Sequence, residues 1–419
     1  MGIKGRRRTP AAEPREPSAA AARCHEKQQA HADAVSNNDS EAAQLKESEK
    51  KASRPHVVAV EGRKRRGGVA VLRYSDGSRY EGHTTEAPTS SGDGEDTPAV
   101  TLLRHGKGIY VTHNGHVFDG EWELGVFQGF GSQTFARTGD RHEGLYHKNQ
   151  RHGLGTYVWA NGDKYVGNWR HGKMHGVGYF LWDHGDSYEG EWKKGTMHGK
   201  GRKICANGDL IDGEWRRNQV NGWGRKVFLS GDVYEGGFAR DERAGYGTYT
   251  WLNGDTHEGV WRDGLMHGAG VFSTSEGCTL QGKWRHGELH GQGVERFPCG
   301  SVYAGGFKNA LRSGAGVLTL ATGDVFEGEW VEDEIQGFGV WSCPDGRAYI
   351  GAWARGLPSG DGLFSREQRE AEEADDDADD GVETRTVGVG GSLEPGEFLD
   401  GVLQPCGSFR IDRLDIPSR

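Results

Sequence analysis

A glycine recurs at a fixed interval along most of this 419-residue chain. Between Gly144 and Gly351 the interval is always 23 residues. A period held over ten units without an insertion means that each unit adopts the same local structure and packs on its neighbours. We therefore expect function on the surface of an extended array rather than in a single pocket. The repeated glycines are Gly144, Gly167, Gly190, Gly213, Gly236, Gly259, Gly282, Gly305, Gly328 and Gly351, preceded at wider spacing by Gly82 and Gly120.

Aromatic residues flank the repeated glycine with a spacing of two. Residues i and i+2 share one face of a β-strand, so Tyr165, Gly167 and Trp169 face one way, and Lys164 and Asn168 face the other. One aromatic and one largely polar face is typical of an antiparallel sheet with one side in water. We expect each glycine to leave room for a ring over bare backbone, with the rings only partly covered. The residues two after the glycine include Trp122, Trp169, Trp192, Trp215, Trp261, Trp284, Trp330 and Trp353, with Tyr146, Phe238 and Phe307 in three units and Thr84 as the exception.

Turn residues separate two strand-like runs in every unit. Asn161-Gly162 favours a tight hairpin, because type I′ turns need positive φ angles. The second connection is predicted to be longer and to end in a Gly-x-Gly pair such as Gly153 and Gly155. Two short strands and no room for a crossover helix predict an all-β fold. We expect an extended, twisted antiparallel β-meander ribbon of 23-residue hairpin repeats.

Amino-acid composition distinguishes the repeat array from the segments before and after it. Residues 1–56 are predicted to be a disordered N-terminal tail, since they contain no aromatic residue and are rich in Ala, Glu, Lys, Ser and Arg. The repeat array is placed at 57–364. Residues 365–384 are predicted to be an acidic linker or short helix, because ten acidic residues lie between positions 366 and 383. Residues 385–419 are a C-terminal tail or a degenerate cap.

Several function classes find no support in the sequence. The net charge of −10 argues against nucleic-acid binding, and six scattered cysteines favour neither disulfides nor a zinc site. No apolar run of about 18 residues predicts a membrane span. Recurring acidic and histidine residues occupy equivalent surface positions, so we expect no enzyme, no catalytic residue, no cofactor and no bound metal. The histidines His152, His175, His198, His267 and His290 are interpreted as turn residues.

One basic cluster stands before the array, at Arg63, Lys64, Arg65 and Arg66. Such a cluster can bind anionic phospholipid at about 1 kcal/mol per charge. It is equally consistent with a solvated flank or an address signal.

The segment Tyr188–Gly201, with Tyr, Gly, Trp, Gly, His-Gly and Gly at fixed positions, resembles the MORN (membrane occupation and recognition nexus) repeat. The resemblance covers about residues 68–364. The chain departs from the pattern where another residue replaces the His before Gly, and in a 15-residue insert at about Thr85 to Ala99. The replacing residues are Asn221, Ala244, Ser313, Gln336 and Ser359.

The resemblance implies a non-enzymatic scaffold or adaptor. It would link membrane or cytoskeletal structures, including those of cilia and flagella, through contacts with other proteins. We expect a cytoplasmic protein at the cytoskeleton, the cilium or flagellum, or the membrane periphery, with homodimerisation as a further option. The alternatives are a peripheral phospholipid-binding module that uses the basic flank, and the regulatory subunit of an enzyme supplied in trans.

Overall fold

The computed structural model describes residues 56–61, 68–88, 100–365, 394–399 and 402–404. Apart from residues at their ends, the predicted tail of 1–56 and the acidic segment of 365–384 lie outside the described residues. The basic cluster at 63–66 also lies outside them. The described residues contain only strands, turns and loops. Among them, no helix is long and apolar enough to cross a membrane.

Twenty-eight strands follow one another along the described residues. They are β1 Val57–Glu61, β2 Val69–Tyr74, β3 Arg79–Pro88, β4 Val100–Val111, β5 Val117–Glu123, β6 Val126–Thr134, β7 Arg141–His147, β8 Gln150–Val158, β9 Lys164–Arg170, β10 Lys173–Leu181, β11 Ser187–Lys193, β12 Thr196–Ile204, β13 Leu210–Arg216, β14 Gln219–Val227, β15 Val233–Ala239, β16 Glu242–Thr250, β17 Thr256–Arg262, β18 Leu265–Ser273, β19 Thr279–Arg285, β20 Glu288–Arg296, β21 Val302–Lys308, β22 Leu311–Thr319, β23 Val325–Val331, β24 Glu334–Ser342, β25 Ala348–Ala354, β26 Leu357–Ser365, β27 Glu394–Leu399 and β28 Val402–Gln404.

These strands fall into two compact units. The N-terminal unit holds β1–β14, the C-terminal unit holds β16–β28, and the residues of β15 are divided between them. Within each unit, every strand pairs antiparallel with the strand before or after it in the chain, as in β9–β10 and β16–β17. At the end of the C-terminal unit, β27 pairs with β26 and β28 pairs with β27. The predicted all-β antiparallel meander of hairpin repeats is confirmed.

Each repeat consists of a seven-residue strand followed by a nine-residue strand, as in β9 and β10. Across this pair, Gly167 lies opposite Gly178 and Tyr165 lies opposite Phe180. The strand alternation predicted from the sequence is present, since Tyr165 and Trp169 are buried and Lys164 is exposed. We call the buried aromatic side the inner face and the polar side the outer face.

The two connections are the reverse of the prediction. The tight turn follows the seven-residue strand, where His171 and Gly172 both have positive φ, 52° and 81°. The Asn161-Gly162 connection is the longer one, and it runs from Trp159 to Asp163. The greater length of this loop has a physical reason. It positions the Asp163 carboxylate, which accepts the backbone N–H of Asp183 in the next repeat at 2.6 Å. This loop therefore joins neighbouring repeats instead of only reversing the chain.

Glycine pairs bring neighbouring strands close enough for a ring to cover them. A Cβ added to Gly167 would lie 2.5 Å from the Cα of Gly178 and 2.6 Å from the Tyr165 hydroxyl oxygen. No real Cβ tolerates such contacts, so the position requires glycine. The Tyr165 hydroxyl in turn donates to the carbonyl of Asn168 at 2.9 Å. The predicted role of the repeated glycine, which is to leave bare backbone beneath a ring, is confirmed.

Tryptophan indoles link each repeat to the one before it. Nε1 of Trp192 donates to the carbonyl of Gly178 at 3.1 Å, and that of Trp215 donates to Gly201 at 2.9 Å. Tyr188 packs edge-on against both indoles, with ring centroids 5.3 Å apart in each case. The expectation that the rings are only partly covered is wrong, because Trp215 is only 4% exposed. Rings of adjacent repeats cover one another, so the inner face is a packed core.

Arginine replaces an aliphatic residue wherever the inner face lacks a tryptophan. Trp215 lies across the strand pair from Val220, whereas Phe307 lies opposite Arg312. The smaller ring leaves space for a guanidinium, and that of Arg312 lies 5.2 Å from the Trp330 ring centroid. The same exchange places Arg151 opposite Tyr146 and Arg104 opposite Thr84, with their guanidinium groups over Trp169 and Trp122.

The Arg312 side chain also forms a buried ion pair. Its Nε lies 3.1 Å from Oδ1 of Asp333, and both side chains are only 3% exposed. Oδ1 of Asp333 also accepts the backbone N–H of Arg312 at 2.8 Å. In another repeat, Oδ1 of Asn218 accepts the backbone N–H of Met197 at the same distance. The chain therefore contains a charged and a neutral version of one arrangement.

We predict that Arg312→Met lowers the free energy of unfolding by about 3–5 kcal/mol, because it leaves the Asp333 carboxylate buried without a cation. The double variant Arg312→Met/Asp333→Asn should recover most of this loss, since an asparagine at 333 carries no charge and can accept the backbone N–H of residue 312 as Asn218 accepts that of Met197. Hydrogen exchange of β22 amides in the full chain measures the change where it occurs. A double variant that is less stable than Arg312→Met alone would show that the ion pair does not govern this repeat.

Candidate functional site: the outer face and its edges

The outer face carries a row of exposed apolar side chains, one at the same position of many repeats. Each is the residue between the two glycines of a Gly-x-Gly pair. We call these six residues the outer row, and their exposed fractions range from 54% to 63%. In the N-terminal unit they are Phe130, Leu154, Val177 and Trp223, and in the C-terminal unit Tyr246 and Phe338. The remaining repeats have Lys107, Lys200, Ala269, Gln292, Ala315 or Asp361 at this position.

A β-bulge directs the outer row away from the core. In β10 the pairing with β9 jumps from Met174 to Gly178, which leaves the residues between them as a bulge. Gly176 has a φ of +68°, which suits glycine, and Val177 follows it. Bulges re-aim side chains, so Val177 projects from the outer face while Met174 and Phe180 remain buried.

Carboxylates secure the bulge in several repeats. Glu191 accepts the backbone N–H of Lys200 at 3.0 Å, and Glu121 accepts that of Phe130 at 3.1 Å. Where the repeat has Asn168 instead, its side-chain amide donates to the carbonyl of Val177 at 3.1 Å. The local sequence therefore holds the outer row in place from the neighbouring strand.

Further apolar side chains broaden the outer row in the N-terminal unit. Leu145 lies across the strand pair from Phe130 and is 43% exposed. Val166 and Tyr179 face each other across β9 and β10, at 42% and 40% exposed. Contiguous exposed apolar surface on a folded protein is typical of a contact site for another macromolecule.

Histidines crowd the tight-turn edge of the same unit. The rings of His147 and His152 are 5.7 Å apart, as are those of His152 and His171. Burial and its histidine and arginine neighbours lower the pKa of His152 below its ordinary value. Among the residues that the structure describes, no group of three or more His, Cys, Asp or Glu side chains could hold a metal ion.

The residues that the sequence analysis singled out have different roles in the structure. The repeated glycines and the tryptophans are structural, since they build the inner face. The basic cluster Arg63, Lys64, Arg65 and Arg66 lies outside the described residues, and its role remains a prediction. Sequence reasoning missed the outer row, although a signal was present: the residue inside Gly-x-Gly is apolar in repeats where a hairpin turn would favour a polar one.

Two buried histidines interrupt the inner face. His142 and His257 stand where most repeats carry Tyr or Phe, and both are fully buried. His257 packs between Trp261 and Trp284, and neither of its ring nitrogens has a hydrogen-bond partner. Burial lowers the pKa of His257 to about 4 and, together with Arg151, that of His142 to about 2. Both rings are therefore neutral in the folded protein.

We predict that the stability of the fold falls as the pH drops below about 6.5, the pKa of an unfolded histidine. The unfolded chain then binds protons that the folded chain excludes, so each histidine removes about 1.4 kcal/mol per pH unit until its folded pKa is reached. His257→Tyr should reduce this slope, because Tyr165 fills the equivalent position with its hydroxyl bonded. Urea unfolding at several pH values measures the slope, with the exposed His290→Gln as control. Equal slopes in His257→Tyr and His290→Gln would contradict the assignment.

Comparison with known proteins identifies the repeat. The MORN repeat family model matches eleven segments, which together span more than half of the chain. They are residues 103–117, 118–137, 142–164, 165–187, 188–210, 234–256, 257–279, 281–302, 303–325, 326–346 and 349–366. Residues 211–233 are not matched, although β13 and β14 form the same hairpin there. A search of curated proteins finds no match.

Solved structures with some similarity include domains of centriolar proteins. The TCP10 domain of Danio rerio CPAP, in complex with a peptide of Danio rerio STIL, is 10% identical over 60% of this chain and 94% of that chain, with a TM-score of 0.26. The G-box domain of the microcephaly protein CPAP is 10% identical over 52% and 100%, with a TM-score of 0.27. The TCP10c domain of Drosophila melanogaster Sas-4 is 15% identical over 36% and 91%, at 0.24. TM-scores this low carry no argument about function.

The family assignment therefore rests on the repeats themselves. Eleven matched segments along this strand meander show that the chain belongs to the MORN-repeat family.

Proposed function

We propose that this MORN-repeat protein is a non-enzymatic scaffold or adaptor that links membrane-associated or cytoskeletal structures, those of cilia and flagella included, through protein–protein contacts. The outer row carries the proposal. It presents exposed apolar side chains at the equivalent position of six repeats, and in the N-terminal unit further exposed apolar residues broaden it.

The energetics favour contact through this row. Burying one Val, Leu or Phe side chain completely contributes about 1.5–3 kcal/mol. Leu154, Val177 and Trp223 are each more than half exposed in the N-terminal unit, so a partner that covers them gains roughly half of such a contribution at each position. Trp and Tyr also dominate the binding energy at protein interfaces, and the row includes Trp223 and Tyr246.

The buried inner face is not available for binding, which leaves the outer face as the surface that a partner can reach. Its rings are buried against one another, so a partner cannot reach them without unfolding the repeat. The most strongly perturbed histidines, His142 and His257, lie inside this packing, where no substrate could contact them. The lipid-binding alternative at Arg63–Arg66 and the role of regulatory subunit in trans stay predictions without structural support.

We predict that the tagged full-length protein stays in the detergent-insoluble cytoskeletal fraction of cells, and that Leu154→Ser/Val177→Ser/Trp223→Ser releases it. The substitutions remove the apolar contact but leave the inner face unchanged. Leu229→Ser/Leu252→Ser is the matched control, because both leucines are 74% exposed but lie in loops outside the row. Retention of the outer-row variant would exclude the row as the contact surface. Full release of the wild-type protein with detergent would favour the membrane alternative.

A further inference from the structure

A second surface, separate from the outer row, lies along the tight turns of the N-terminal unit. Six cations occupy the last strand residue or the first turn residue of four consecutive repeats. All six side chains belong to exposed residues, and among the described residues none of them forms an ion pair. We call this set the basic edge: Lys148, Arg170, Lys193, Lys194, Arg216 and Arg217.

The charges of the basic edge act on a neighbouring side chain. His175 has a pKa below its ordinary value, because of its burial and then the positive charges of Arg170, Lys193 and Lys194. These turns contain no acidic residue from position 147 to 150, 170 to 173, 193 to 196 or 216 to 219. The basic edge therefore concentrates positive potential although the chain as a whole carries a net charge of −10.

The other surfaces of this unit mix carboxylates with cations, unlike the basic edge. On the opposite edge, the carboxylates of Asp163 and Asp186 accept backbone N–H groups of the following repeats. The outer face beside the basic edge carries exposed Glu143, Glu189 and Glu214. A broad anionic surface laid on this face would meet those carboxylates. A narrow anionic chain that follows the turns would avoid them.

The spacing of the cations also fits a narrow chain. Each repeat adds two strands, and neighbouring strands lie about 4.8 Å apart, so successive turns are separated by about 10 Å. A polypeptide in the polyproline II conformation advances about 3.1 Å per residue with three residues per turn, so side chains three residues apart lie on one side and span about one repeat. A shallow pocket between two turns, lined by Lys193, Arg216, Glu191 and Glu214 among others, offers room for an uncharged side chain of the segment.

We propose that the basic edge binds an acidic segment of a partner protein in the polyproline II conformation, with Asp or Glu at about every third residue. Each carboxylate of the segment faces the cations of one turn. The proposal does not depend on the outer row, so either surface can fail its test without affecting the other.

Binding of a synthetic peptide to the purified full-length chain tests this proposal. The probe is a labelled peptide of about 15 residues with Glu at every third position and Gly or Ser between, measured by fluorescence anisotropy. We expect it to bind, to weaken as salt rises from about 50 to about 500 mM, and to bind more tightly than a peptide of equal composition whose Glu residues are clustered. Absence of binding, or equal affinity for both peptides, would overturn the proposal.

Matched variants locate the site. Lys193→Gln/Lys194→Gln/Arg216→Gln/Arg217→Gln should weaken binding at least about tenfold. The control Arg79→Gln/Arg137→Gln/Arg141→Gln/Lys164→Gln removes the same charge from exposed positions on the opposite edge and should change it less than about twofold. Equal losses would show unspecific charge attraction. A third measurement uses vesicles that contain about one fifth phosphatidylserine. Binding of the protein to these vesicles without binding to the peptide would assign the basic edge to a membrane instead.

Discussion

The close approach of two glycines across each strand pair is the contact on which the rest of the structure depends. Gly167 and Gly178 lie opposite each other, with the Tyr165 ring over both. Because no Cβ separates the strands from the ring, the neighbouring indole can pack edge-on against that tyrosine and donate to a backbone carbonyl of the preceding repeat. Each repeat thus completes the core of its neighbour, which explains why the glycine period tolerates no change over ten units.

This packing divides the surface between stability and function. The inner face is occupied mainly by rings, and arginines such as Arg151, Arg243 and Arg312 fill the gaps where a smaller ring replaces tryptophan. Most positions of the outer face and the first residue of each tight turn have no such structural role, and these residues vary from repeat to repeat. Variation at fixed positions gives this protein a distinct apolar row and a distinct basic edge on a scaffold of constant geometry.

The sequence predicted the strands, the two faces and the role of the glycine, because a spacing of two is sufficient to define them. It misplaced the tight turn, because Asn161-Gly162 is a strong local hairpin signal whereas the need of Asp163 to cap the next repeat is non-local. It missed the burial of Trp215, which depends on rings from adjacent repeats. It missed the outer row for a related reason, since the bulge that exposes Val177 arises from unequal strand lengths.

Glycine pairing under a ring, not the exposed face, holds each repeat together. Hydrogen exchange of the full chain with Gly167→Ala, compared with Val166→Ala on the outer face, tests it most directly. Gly167→Ala places a methyl group against the Gly178 backbone and should abolish protection in β9 and β10, while repeats far along the chain keep theirs. Val166→Ala should leave protection unchanged. Similar protection in the two variants would contradict the account.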